Sequence, residues 1–362
     1  KKKKKKMTTG YETIDNALKW TTSSLTSAGK WAGVISENET IKEKTWWENH
    51  SKKIIIGAVA GLGAYGLTKI GYEMVQRYKE QKLKGKIALV TGAGGRLPKS
   101  LGRLTALKLA REGATVVVVD IDTKGIQEVV NMITKENGKA IGYNCDITSY
   151  QNVMEMAEKV KKDLGDVDIL VNNAGIVQGK SILEADVGKI EATFKVNTLA
   201  HFWTVKAFLP GMIKKGYGQV INIASVAGIA GASCMTDYSA SKFACMGFHE
   251  SLLAEAYHKN YPIDCTVVCP YYIDTGMFTN IPRVWGILTL LDADYVANRI
   301  VRAIKRKEIM VVIPDELRPM NWLWRTVWPD SLIVKMGVKS GISTSMENFG
   351  GHAAPPPSPA PK

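Results

Sequence analysis

Short runs of apolar residues recur along the middle of the chain, at 87–90, 115–119, 140–143, 169–171, 220–223, 266–268 and 309–313. Between them, apolar residues return every three or four positions, at 101–112, 153–164, 199–215, 242–258 and 295–305. The first pattern predicts strands and the second amphipathic helices. The strand runs are continuously apolar rather than alternating, so both of their faces must be covered. That combination predicts a doubly wound α/β domain, with a Rossmann-like parallel sheet of about seven strands under helices on each side. The regular alternation places this domain at residues 80–314. No internal repeat is visible.

The flanks differ in character. Residues 1–50 form a polar tail rich in Thr, Ser, Lys and Glu. Residues 51–79 carry a glycine-rich apolar stretch centred on 54–67, bracketed by Lys52, Lys53 and Lys69. It is short for a spanning helix, which wants about 20 apolar residues. It also lies too far from the start for a cleaved signal peptide. Gly57 and Gly61 have the spacing that lets helices approach closely in a membrane. The blander reading is a buried glycine-rich helix, but the segment precedes the domain and has no evident partner element. Membrane association is therefore the expectation. Residues 315–362 bring Trp322, Trp324 and Trp328 among apolar and basic residues, then a proline-rich tail. Tryptophan beside basic residues suits a membrane interface, and equally a helix over a substrate opening.

Charge and cysteines narrow the class. The formal charge is +14, to which Lys1 to Lys6 contribute six. That hexalysine is expected to be foreign to the natural chain, with Met7 as its start. The remaining charge is spread without a compact basic face interleaved with aromatics, so nucleic acid is not the expected partner. Five cysteines, Cys145, Cys234, Cys245, Cys265 and Cys269, are an odd number without metal-ligand spacing. They predict reduced thiols, a reducing compartment and no metal site.

The chemistry concentrates in two places. Tyr238 and Lys242 lie one helical turn apart, thirteen residues beyond the Ser225 that closes a strand. Positions i and i+4 share a helix face, so phenol and ammonium can enter one pocket. A nearby ammonium favours the phenolate and should lower the tyrosine pKa from about 10 toward a useful range. With a serine approaching from the sheet, the trio can move a proton on or off an alcohol oxygen. An isolated Tyr-x-x-x-Lys is more often an ordinary helix, and only agreement with other motifs overrides that reading. The second place is the glycine-rich turn from Thr91 to Gly102, between a strand and a helix. Such a turn lets backbone amides approach a pyrophosphate. Asp120, ending the next strand, can accept hydrogen bonds from ribose hydroxyls and would repel a 2′-phosphate. NAD is therefore expected ahead of NADP.

Taken together, the Thr-Gly-Ala-Gly turn, Cys145-Asp146, Asn172-Asn173-Ala174-Gly175, Asn197, Ser225, Tyr238-x-x-x-Lys242 and the stretch from Pro270 to Thr275 resemble the short-chain dehydrogenases/reductases. Ala200-His-Phe-Trp203, Lys206-Ala-Phe-Leu-Pro210, Gly247-Phe-His-Glu250 and Asp274-Thr-Gly-Met-Phe278 look like one branch of them. That branch holds membrane-bound retinol dehydrogenases and 17β-hydroxysteroid dehydrogenases of the endoplasmic reticulum and lipid droplets. The resemblance implies Tyr238 as general acid/base, and Lys242 as the group that tunes it and holds the nicotinamide ribose. Ser225 would bind the reacting oxygen, and Asn197 would hold a relay water. It implies a cofactor set of Gly92, Gly94, Gly95, Leu101, Gly102, Asp120, Asp146, Ile147, Asn173, Ala174, Gly175, Tyr238, Lys242, Pro270, Ile273 and Thr275. It further implies a lipophilic alcohol as substrate, a membrane or lipid-droplet location with the domain facing the cytosol, and a homodimer as candidate assembly. Tyr271, Tyr272, Met277, Phe278, Trp285 and residues 287–291 would form an apolar lid.

The chain departs from the family where its glycine turn is four residues longer than Thr-Gly-x-x-x-Gly-x-Gly. Gly92 and Gly102 match the outer glycines, and the middle one is Gly95 or is replaced by Ser100. The added residues either bulge outward or obstruct the cofactor. The second case would make the chain a membrane or lipid-droplet structural protein with a degenerate cofactor site.

Overall fold

The computed structural model describes residues 80–95, 97, 99–277, 290–318, 330–339 and 346. The N-terminal apolar segment, Arg96, Phe278, Trp285 and Trp322 to Trp328 lie outside the described residues. Seven parallel strands form one sheet in the order β3-β2-β1-β4-β5-β6-β7. They are β1 (Ile87–Thr91), β2 (Thr115–Asp120), β3 (Lys139–Asn144), β4 (Ile169–Asn172), β5 (Gly218–Ile223), β6 (Ile263–Pro270) and β7 (Met310–Ile313). From β1 the chain runs outward to β3, then returns to lay β4 on the other side of β1. The crevice at that reversal is where open α/β sheets receive ligands.

Side-chain alternation splits the sheet's apolar residues between two cores. Ala88, Val90, Val116, Val118, Ile169 and Val171 face α1 (Leu101–Arg111), α2 (Thr123–Lys135) and α7 (Ala293–Arg306). Leu89, Val117, Val119, Leu170 and Val220 face α3 (Tyr150–Leu164), α5 (Ala200–Lys215) and α6 (Thr236–Lys259). Most of these side chains have no solvent exposure at all. Burial on both faces explains the continuously apolar strands.

Sequence periodicity passes over α2 and over α4 (Val187–Phe194). Asp122 caps α2 by accepting from Lys124 and Gly125 backbone N–H groups, and Ile126, Val129 and Ile133 supply its buried stripe. α4 runs through a π-helical turn, Lys195–Leu199, into α5. α6 starts six residues ahead of the periodic segment at 242, without a side-chain cap. Its first turn is held from outside: buried Asp237 accepts from Gln178 Nε2 at 2.9 Å and from Thr193 Oγ1 at 3.2 Å. Tertiary contacts substitute for the missing cap.

Candidate active site

The longer α6 places both Tyr238 and Lys242 inside one helix, where both are buried. Ser225 leaves β5 with an extended backbone. Its Oγ accepts from Ala227 N–H at 3.1 Å and donates to Pro270 O at 3.4 Å, tying it to the end of β6. Burial pushes the Tyr238 phenol above the usual tyrosine range, outweighing the neighbouring Ser225 hydroxyl, which lowers it. Lys242 Nζ donates to Ile223 O at 2.8 Å and stands 5.7 Å from the Tyr238 ring centroid. Burial in turn pulls the Lys242 ammonium down. In this packing burial, more than any neighbouring charge, sets the phenol's acidity. Desolvation dominates, because a buried phenol loses more by ionising than the hydroxyl beside it returns.

Asn197 lies in the π-helical turn, fully buried. Its Oδ1 accepts from Ile176 N–H at 2.9 Å, while Nδ2 donates to Ile176 O at 2.9 Å and to Ser241 Oγ at 3.0 Å. Ser241 Oγ then donates to Tyr238 O at 2.7 Å. The side chain thus clamps the loop after β4 to the tyrosine's own helix. A Cβ on Gly175 would lie 3.5 Å from Asn197 Oδ1 and 3.6 Å from Lys242 Nζ, so the backbone passes bare where these elements meet.

At the other end of the crevice, Gly92 has φ +67° and packs on Ala174, whose Cα would be 2.8 Å from an added Cβ. Gly102, at the start of α1, abuts Gly92 O and Asn173 Nδ2. Asn173 donates to Thr91 O at 2.9 Å, and Thr91 Oγ1 accepts from the Asn173 and Ala174 N–H groups. Gly94 rests against Asp120, whose Cβ would be 2.9 Å away. Burial pushes the Asp120 carboxyl up, against hydrogen bonds from the Asp122, Ile121 and Gly94 N–H groups. Leu101 packs on the first core and Ile147 is buried in the second. Asp146, by contrast, is exposed and folds back to accept from Thr148 N–H and Oγ1 at 2.9 and 2.7 Å. Ile273 bridges Leu291, and Thr275 Oγ1 accepts from Met277 N–H, so both stand in an ordered loop after Pro270. The bare backbone at Gly92, Gly94 and Gly102, and the buried Ser100 Oγ at the α1 amino end, unpartnered among the described residues, suit an anionic dinucleotide.

Around Tyr238 the surroundings are apolar: Val177, Ala227, Met235, Tyr272 and Met346, with Tyr271, Met277 and Leu290 at the edge. Tyr271, Tyr272 and Met277 thus stand where an apolar lid was expected. Met235, Asp237 and Ser241 carried no signal in the sequence beyond proximity to Tyr238, and Gln178 and Met346, far from it in the chain, carried none. Among the described residues no cluster of metal-binding side chains occurs, and all five cysteines are free.

A bare glycine turn after β1 that suits a dinucleotide, with a buried phenol across the crevice, fits one class: a nicotinamide-dependent oxidoreductase. The chain belongs to the short chain dehydrogenase family, whose profile matches residues 86–284. It is 40% identical over 288 residues to the "Short-chain dehydrogenase/reductase family 16C member 6" of Bos taurus, covering 79% of this chain and 89% of that one. It is 41% identical over 275 residues to the human "Epidermal retinol dehydrogenase 2", covering 74% and 86%. A short chain dehydrogenase/reductase from Burkholderia phymatum, solved in complex with NAD, shares the fold at a TM-score of 0.61 and 24% identity, covering 68% of this chain and 95% of that one.

Proposed function

We propose that this enzyme oxidises a lipophilic alcohol to the carbonyl compound with NAD as cofactor. The observation that carries the reading is Tyr238, buried beside Ser225 and enclosed by apolar side chains, with Lys242 one turn behind it. In this reading Ser225 holds the alcohol oxygen and Tyr238 takes its proton as the C–H bond breaks. Lys242 is the cation that favours the phenolate, and Asn197 fixes the loop after β4 beside both. NAD, when bound, supplies the hydride acceptor. Gly92, Gly94, Gly102, Ser100, Asn173 to Gly175, Pro270, Ile273 and Thr275 are the residues that would hold it, with Asp120 disfavouring a 2′-phosphate. The apolar cluster offers an alcohol few hydrogen-bonding partners, which favours a retinoid or a steroid, with a long-chain alcohol behind them. Two relatives' features support this: one is named a retinol dehydrogenase, and both align over most of their length.

We further infer attachment to the endoplasmic reticulum membrane or a lipid droplet, with the domain facing the cytosol, through residues 54–71 and the tryptophans at 322–328. Among the described residues no helix is long and apolar enough to cross a membrane. A homodimer is supported by Phe202 and Phe243, exposed on α5 and α6. The oxidoreductase reading is tested by titrating the full-length protein with NADH and NADPH, followed by cofactor fluorescence. NADH should bind more tightly, and Asp120→Ser should narrow the difference. A folded protein that binds neither would sink the reading, and equal affinities would remove the role given to Asp120.

A further inference from the structure

The extra backbone of the β1–α1 turn is pinched at its base. A Cβ on Gly95 would lie 2.8 Å from Ser100 Oγ and 3.0 Å from Ser100 Cβ. The chain therefore leaves the turn at Gly95 and comes back at Ser100, while Gly92 and Gly102 keep their mutual contact beneath. The added residues leave the approach of Gly92 to Gly102 intact. The last of them, Lys99, reaches Asp274 Oδ2 at 3.2 Å. Asp274 is not a loose surface carboxylate. Its N–H donates to Leu291 O at 2.9 Å, and the preceding Ile273 bridges the same leucine.

Lys99 belongs to the loop after β1 and Asp274 to the loop after β6, and β4 and β5 lie between those strands. Three strand spacings amount to roughly 14 Å. An ion pair joining loops rooted that far apart passes over the carboxyl ends of the intervening strands. That is where the dinucleotide of such a sheet lies. The pair is not needed to hold α1 against α7. Lys108 to Asp294 at 2.6 Å and Lys305 to Glu112 at 3.1 Å already connect α1 and its C-cap residue to α7.

We propose that Lys99 and Asp274 form a clasp across the dinucleotide crevice that slows release of the bound cofactor. The inference rests on reading the crevice as the NAD site. Lys99 is 64% exposed and Asp274 54%, so solvent weakens their attraction and the clasp can yield at each turnover. A pyrophosphate beneath it would add negative charge near Lys99 and the α1 amino end, keeping the lysine over the crevice while cofactor is present.

Stopped-flow displacement of NADH from the full-length protein tests this. Lys99→Met and Asp274→Asn should each speed release by roughly two- to five-fold, the range expected of one exposed ion pair. The double variant should release no faster than the quicker single one. The exchange Lys99→Asp with Asp274→Lys should return release toward the wild-type rate. Added salt should accelerate release from the wild type more than from either single variant. NADH binding with unchanged release in both single variants overturns the clasp alone, as does an additive double variant. An effect of Lys99→Met without one of Asp274→Asn also overturns it, since the lysine would then act on the cofactor directly. Failure of the wild type to bind NADH overturns the site reading as well.

Discussion

At the scale of single residues, the site sets a phenol whose burial opposes ionisation against a lysine bonded to a backbone carbonyl. A phenol held above its usual range is almost wholly protonated near neutral pH, so burial alone opposes its use as a base, and the proposed proton removal depends on the Lys242 charge favouring the phenolate. Tyr238→Phe leaves the buried ring and deletes only the hydroxyl. Turnover should fall by at least ~10²-fold if proton transfer limits the rate, while NADH affinity and the unfolding transition stay close to wild type. Near-normal steady-state turnover in that folded variant would remove Tyr238 from the chemistry. The pairing of Tyr238 with Lys242 was legible because i, i+4 spacing is a property of any helix. The direction of the tyrosine's pKa was not, because desolvation depends on neighbours such as Tyr272 that only folding assembles.

At the scale of elements, the β1–α1 turn depends on backbone approaching backbone. A Cβ at Gly102 would overlap Gly92 O and lie 2.5 Å from Asn173 Nδ2. Gly102→Ala should therefore cost about 1–3 kcal/mol in overpacking and weaken NADH binding through displacement of the turn. Gly247, within α6, has nothing within 4 Å of an added Cβ. Gly247→Ala should be neutral or stabilising by up to about 1 kcal/mol, as expected of a glycine relieved from a helix interior. Denaturant unfolding of the two variants supplies the comparison, and equal destabilisation would refute the geometric argument. The outer glycines of this turn were evident from strand, turn and helix order. The path of its additional residues was not, since nothing in the sequence says that Gly95 and Ser100 touch.

At the scale of the molecule, the domain is sealed at its amino end by residues 80–86. Gln81 donates to Gln219 Oε1 at 2.7 Å and to Ile304 O at 2.9 Å, Leu83 is buried, and Arg306 pairs with Glu80. Removing residues 1–75 spares all of these contacts. The truncated protein should keep NADH binding and move from the membrane fraction toward the soluble one, with partial retention by the tryptophan-rich stretch. An unchanged membrane fraction would place the anchor in that C-terminal stretch. Two buried imidazoles oppose folding in acid. Burial drives His201 down to about 3, reinforced by the Lys242 charge, and His249 down to about 4. Folded protein thus resists protons that the unfolded chain takes up near ~6.5. Their contribution is complete above that pH and is lost as pH falls toward 4, by about 1.4 kcal/mol per pH unit for each imidazole. Among the described residues His249 has no hydrogen-bond partner on either nitrogen. His249→Phe should flatten the stability profile between pH 6.5 and 4 in urea unfolding, and an unaltered slope would show that His249 does not titrate with unfolding.

What the sequence by itself determined is whatever depends on local spacing and on burial of both sheet faces. That covers the parallel α/β class, the seven strands, the glycine turn, Asp120 at a strand end and the Ser225, Tyr238, Lys242 set. Periodicity and turn chemistry act within a few residues, so they can be read before the chain folds. The tertiary structure decided what depends on distant partners. It starts α6 at Thr236 through Asp237, Gln178 and Thr193, and commits the Asn197 amide to Ile176 and Ser241. It brings Lys99 to Asp274 across three strand spacings. The physical reason is common to all of these. A side chain's hydrogen bonds, solvation and charge neighbours are set by residues far away in the chain, which only the sheet order brings within reach.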